Sequence, residues 1–266
     1  MIGLFDRDYR ELTKEKIEEK NKIDTAMNPS KGKFGKIKCF RSYPQAIRYN
    51  QSLFPNNYMD INLLQNRQEL EKQADGLVRL LDNHETTELN VKRYIQDNKY
   101  YCIPASIFVR YYTFGHHEAV LFKEFPLGTS YKADYLLAGR GSGGWQFIFV
   151  EFECVYGNIF LKDGSFGSAI RKGKKQIEDW KKYLEANYTS IYTEFKRYTN
   201  KNLPDEFVHY DSSRMHYVII TGRRADFDND TRRWEQRNLE SKENIDLCHY
   251  DNLLDDFRSL IGRESY

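Results

Sequence analysis

Three acids in one stretch are the residues here whose types and spacing could do chemistry. Asp134, Glu151 and Glu153 follow the spacing D-x16-E-x-E, and the two glutamates close the apolar run QFIFVEFE at residues 146–153. Side chains of a strand alternate between faces, so Phe147, Phe149, Glu151 and Glu153 share one side while Ile148, Val150 and Phe152 take the other. Both faces are apolar, as in a central strand covered on both sides. Burying a carboxylate at the end of such a strand is costly unless a cation or a donor meets it. Oxygen ligands in a half-open site suit Mg²⁺ or Mn²⁺, which polarise a phosphodiester and activate a water. On this reading Asp134, Glu151 and the main-chain carbonyl of Phe152 hold the ion, and Glu153 adds a ligand or orients the water. Acid/base hydrolysis of a sugar fits poorly, because Glu151 and Glu153 are too close and too parallel to flank a substrate.

The elements that must position these acids are legible on either side. Residues 123–153 read as a strand, a Gly turn, a second strand ending near Asp134, a glycine-rich hairpin and a third strand. Upstream, HETTELNVKRYIQDN predicts a helix with Thr86 or Thr87 as N-cap and Leu89, Val91, Tyr94 and Ile95 as its packing face. Glu88 falls in the first turn, where it either favours the helix dipole or brings a further acid to the cluster. Downstream, a helix of about 20 residues follows the turn at 163–165, with Ala169, Ile170, Gly173, Ile177, Trp180 and Leu184 on one face, and TSIYTEFKRYTNKNLPDEF continues as a helix and then a loop ending at Pro204. Its flank carries Arg171, Lys172, Lys174 and Lys175, either a solvated face or a surface that follows a phosphate backbone. Gln176, beside the apolar stripe, either reaches back to the acids or stays exposed.

Elsewhere, apolar positions from 60 to 83 recur at helical spacing. A buried strand at 217–221 ends on Gly222-Arg223-Arg224, and a short strand near 245–248 leads into a terminal helix. The alternation of strands and helices predicts parallel pairing on this side of the sheet. Residues 1–60 read as a separate N-terminal segment, a charged exposed helix and then irregular chain from 40, with 61–266 as the main domain. Lys31, Lys33, Lys36 and Lys38 form either a phosphate-contacting loop or a solvated turn. His116 and His117, adjacent in sequence, point to opposite faces if extended and do not share a site.

With 41 basic and 39 acidic residues among 266, the net charge of +2 excludes a global polycation, so any nucleic-acid binding must be local. Four cysteines without C-x-x-C spacing argue against zinc or a disulfide framework and for a reducing cytoplasm. Neither a signal peptide nor a membrane span is expected.

An aspartate followed at a distance by Glu-x-Lys on an apolar strand marks the PD-(D/E)xK nucleases, and residues 134–153 resemble that pattern with Glu153 in the place of lysine. The succession ETTELNVKRYIQDN, FPLGTSYKADYLL, FIFVEFE, AIRKGKKQIEDW, YVIITGRR and CHYDNLLDDF, across residues 85–257, resembles the Shedu antiphage-defence family in its SduA C-terminal domain. Gln-Ile-x-x-Trp after the acidic strand, and Gly-Arg ahead of Tyr-Asp-x-Leu-Leu, are its most specific pieces. The resemblance implies an α/β fold with a restriction-endonuclease-like core, a mixed central sheet flanked by helices. It also implies metal-dependent cleavage or nicking of phage DNA by a homo-oligomer. It assigns Glu88 as the helix acid, Asp134 and Glu151 as motif acids and Gln176 as the helix glutamine. The exchange at 153 leaves open a nuclease fold that binds DNA or a partner without cutting.

Overall fold

The computed structural model describes residues 3–26, 43–111 and 118–266. The lysine cluster at 31–38 and the His116-His117 pair lie outside the described residues. Five strands form one mixed sheet in the order β1 (Glu118–Leu127), β2 (Tyr131–Gly141), β3 (Gly144–Phe152), β4 (Met215–Ile220) and β5 (Asp246–Cys248). The first three are antiparallel and the last three parallel. The connections dictate the change: a tight hairpin returns β3 beside β2, whereas a long helix carries the chain back across the sheet before β4. Eight α-helices are described: α1 (Lys14–Ala26), α2 (Gln45–Gln51), α3 (Arg67–Leu81), α4 (Glu88–Asp97), α5 (Cys102–Ala105), α6 (Ser168–Lys196), α7 (Asp230–Glu243) and α8 (Tyr250–Leu260). Among the described residues, no helix is long and apolar enough to cross a membrane.

The alternation along β3 divides the core in two. Ile148, Val150 and Phe152 pack with Leu77 of α3, Val91 and Ile95 of α4, and Leu253 and Phe257 of α8. Phe147 and Phe149 pack on the other face with Ile170, Ile177, Trp180 and Leu184 of α6 and Leu239 of α7. Strand β3 is therefore covered on both sides, as its sequence requires.

Three expectations need correction. Asp134 does not end the second strand: β2 starts at Tyr131 and runs through it to Gly141, because YLLAGRG continues to pair with β3 as far as Gly141 opposite Gly144. In an antiparallel pair the start of one strand adjoins the end of the next, so Asp134 still arrives beside Glu151. The helix after the acidic strand and its expected continuation form one element, the 29-residue α6, whose buried stripe runs on through Tyr188, Ile191 and Phe195 past a kink at Asn187. Residues 40–60 are not wholly irregular. Pro44 precedes α2, whose Ala46, Ile47 and Tyr49 are buried, Tyr58 bridges to Val120 of β1, and Phe54 is buried against Phe122. Leu89, expected on a packing face, is half exposed.

Candidate functional site

Strands β2 and β3 pair regularly up to Tyr135 opposite Val150 and then part. β3 continues with β4 instead, Glu151 opposite Ile219 and Phe152 opposite Ile220, and the Glu153 N–H donates to the Ile220 carbonyl at 2.8 Å. The ladder therefore turns the polar groups of Glu153 toward β4 and those of Phe152 toward β2. Asp134 fills the fork: its Oδ2 accepts the Phe152 N–H at 2.9 Å, standing in for the sheet bond that the divergence removes. The Phe152 carbonyl lies on the same edge of β3. Across the fork, Glu124 adopts a left-handed φ of 48° and interrupts the β1–β2 register between Lys123–Tyr135 and Phe125–Ala133.

Asp134, Glu151 and Glu153 are all buried, with relative exposures of 6, 5 and 3%. Glu151 Oε2 and Glu153 Oε1 have no hydrogen-bond partner. Two lysines meet the cluster from opposite sides. Lys92 of α4 donates to Asp134 Oδ1 at 2.6 Å and to Glu88 Oε1 at 2.8 Å; Lys172 of α6 donates to Glu153 Oε2 at 2.8 Å. Glu88 thus joins the acids through Lys92. Its place is set by Thr87, which caps α4 in a reciprocal box with Asn90.

The electrostatics follow from burial. Loss of water, with the negative charges of Asp134 and Glu153 adding to it, pushes the Glu151 carboxyl up to about 9, against the opposing pull of Lys92. Burial also raises Asp134 and Glu153, with Lys92 and Lys172 respectively holding them down. Lys92 is itself partly desolvated, but Asp134 and then Glu88 outweigh that cost and raise it above the ordinary lysine range, so it carries its charge.

Close packing fixes Glu153. A Cβ at Gly173 would lie 3.2 Å from Ile219 Cγ2 and 3.3 Å from Glu153 Cγ, so glycine lets α6 approach β3 and β4 at the acids. The Glu153 carbonyl accepts from the Tyr250 hydroxyl at 2.7 Å. Behind it, Gly222 holds φ +70° after β4, and Arg223 donates through Nε and Nη2 to Asp251 at 2.9–3.2 Å. The Gly-Arg and Tyr-Asp pieces thus meet as one buttress.

Hard oxygen donors with two buried, unpartnered oxygens suit Mg²⁺ or Mn²⁺. Asp134, Glu151 and Glu153 are brought together, with the Phe152 carbonyl at the same fork. As the side chains stand, no group of three or more His, Cys, Asp or Glu among the described residues is arranged to hold a metal ion; Asp134 and Glu153 pair with Lys92 and Lys172. Gln176 is half-buried on α6, one helical turn beyond Lys172. Of the basic flank, only Lys172 reaches the acids. Arg171 donates to the Phe166 carbonyl, Lys174 pairs with Glu243 and Lys175 with Asp179. Arg171, Lys174 and Lys175 instead line a cavity of about 440 Å³.

A cavity of about 500 Å³ opens at the start of α4, lined by residues 84–89, Cys154 and Tyr156. It shares His84 and Tyr156 with one of about 740 Å³ that carries Arg223, Arg224 and Arg233. Sequence reading missed Lys92. Its only signal was the i,i+4 spacing from Glu88, which ordinarily means a surface ion pair.

The family model for the Shedu protein SduA, C-terminal, matches residues 90–254. No curated protein matches the chain.

Proposed function

The chain belongs to the family of the Shedu protein SduA C-terminal region, and from that premise we propose that it is a metal-dependent DNA endonuclease or nickase of an antiphage defence system, built on the PD-(D/E)xK plan. One observation carries the reading: buried oxygens of Glu151 and Glu153 lack any donor, beside Asp134, where two strands part. Unmet carboxylates in that setting call for a cation.

Asp134, Glu151 and Glu153 would hold Mg²⁺ or Mn²⁺, with the Phe152 carbonyl. A bound ion would supply Lewis-acid polarisation of the phosphate and a more acidic water. The Phe152 N–H fixes the rotamer of Asp134 by holding Oδ2. Glu151 retains a proton at neutral pH, which it must release for its oxygens to bind a cation. Lys172, with a largely exposed side chain, is placed to leave Glu153 for a phosphate. Arg171, Lys172, Lys174 and Lys175 stand in the first two turns of α6, against the helix dipole, which favours a neighbouring anion such as the DNA backbone. Gln176 extends that face. Assembly as a homo-oligomer is part of the proposal.

A second reading, a nuclease fold that binds DNA or a partner without cleavage, is favoured by the pairing of two acids with Lys92 and Lys172 and by Glu153 itself. Conversion of supercoiled plasmid with Mg²⁺, Mn²⁺ or EDTA, beside E151A, separates the two. Metal-dependent open-circle or linear product, absent from the variant, is expected. DNA binding without conversion under any metal would support the second reading.

A further inference from the structure

The motif position that carries lysine in the related pattern holds Glu153, so the proposed site needs its ammonium from elsewhere. Two candidates contact the acids, and they differ in kind. Lys172 is 62% exposed in its side chain and has one carboxylate partner, Glu153. Lys92 is 21% exposed and bridges two carboxylates, at 2.6 Å to Asp134 and 2.8 Å to Glu88. A long side chain with one exposed ion pair is held weakly, whereas one gripped between two acids in a half-buried position is fixed in direction.

We infer that Lys92 is the ammonium of the reaction centre, held by Glu88 against Asp134 so that its charge faces the phosphate at the fork, in the role that position 153 cannot fill. The inference rests on the metal-dependent cleavage proposed above. Two features support it besides the two distances. Asp134 has one oxygen committed to the Phe152 N–H and the other to Lys92, so an ion bound by Asp134 would have Lys92 as its neighbour. Glu88, the N-terminal residue of α4, also lines the cavity of about 500 Å³, so the carboxylate that grips Lys92 borders an opening with room for a phosphate. A fixed positive charge aimed at developing negative charge in a water-poor site needs no reorganisation during the reaction. Lys172 is then a counterion of Glu153 that DNA displaces.

The test compares K92M, K92R and K172M of the full chain. It measures the single-turnover nicking rate at saturating supercoiled plasmid and Mn²⁺, DNA affinity, and Mn²⁺ affinity by calorimetry. For K92M the expected rate loss is about 100-fold or more, the scale of removing one preorganised charge donor. DNA affinity should stay near that of the parent, and Mn²⁺ should bind several-fold tighter, roughly 5-fold, because a like charge beside Asp134 is gone. K92R should recover part of the rate. K172M should weaken DNA binding with a smaller change in the saturated rate. A merely structural Lys92 would weaken Mn²⁺ binding together with the rate, and that result overturns the inference. So does a K92M protein that nicks at the parental rate while the parent shows metal-dependent nicking. If the parent itself neither binds Mn²⁺ nor nicks, the proposed function falls, and this inference with it.

Discussion

At the end of β4, Asp251 receives the Nε and Nη2 of Arg223 and the Arg224 N–H, while Arg223 also meets the Tyr156 hydroxyl at 2.7 Å. One strand away, at the end of β3, Glu151 and Glu153 each keep a buried oxygen with no donor. Both clusters are acidic and partly desolvated, yet their carboxyls move in opposite directions. Burial pushes Asp251 up, but Arg223 and the Arg224 N–H more than offset it, and the group ends below the ordinary carboxylate range. Burial pushes Glu151 up, and the neighbouring acids add to it. The first cluster meets its charges within the chain and ties β4 to α8; in the second, two buried carboxyl oxygens have no donor. Paired carboxylates at one strand end hold the frame against which carboxyl oxygens without donors at the next are positioned.

That contrast can be broken most forcefully through activity. E151A or D134A should lower metal-dependent nicking by at least about 1000-fold, since the cation would lose a ligand. Their far-UV circular dichroism should match the parent, although D134A also loses the acceptor of the Phe152 N–H and should unfold at lower urea. D251N should do the reverse. Leaving Arg223, whose side chain is only 19% exposed, with the exposed Asp82 as its remaining charged partner should cost about 2 kcal/mol in urea unfolding. Any loss of nicking in D251N should then follow the unfolded fraction.

The pH dependence sharpens the same comparison at a smaller scale. Below the ordinary glutamate range, Glu151 is protonated in both folded and unfolded chains. As pH rises toward about 9, the unfolded chain ionises first, so the folded state loses relative stability through that window. E151Q removes this penalty and should raise the melting temperature above the parent at pH 8–9 by an amount worth about 1–2 kcal/mol, with the gap closing near pH 4. Asp251 behaves in the opposite sense: its contribution is present above the ordinary aspartate range and is lost as pH falls through its lowered value. D251N should therefore differ most from the parent at neutral pH and least in acid. The smallest effect is steric. G173A places a methyl 3.2–3.3 Å from Ile219 and Glu153, and should cost about 1 kcal/mol while altering Mn²⁺ affinity through Glu153.

Much of this frame was legible in the residues. The doubly apolar 146–153 run reported a central strand, and the Thr87 cap and the Gly173–Trp180 stripe reported the helices that flank the fork. Alternation also put Glu151 and Glu153 on one face. What was hidden is non-local. The direction of β2 through Asp134 depends on pairing with β3, not on the composition of either strand. The reach of Lys92 across 42 positions to Asp134 leaves no periodic trace. Tertiary burial settled each of these, and local propensity is silent about it.

The central claim is that the fork of β2 and β3 is a divalent-cation site and the Arg223–Asp251 buttress is not. Calorimetric titration of Mn²⁺ into the parent, E151A and D251N at pH 8 tests it most directly. The expected result is saturable binding to one site per chain in the parent and in folded D251N, and its loss in E151A. Saturable binding that persists unchanged in E151A, or none in the parent, would contradict it.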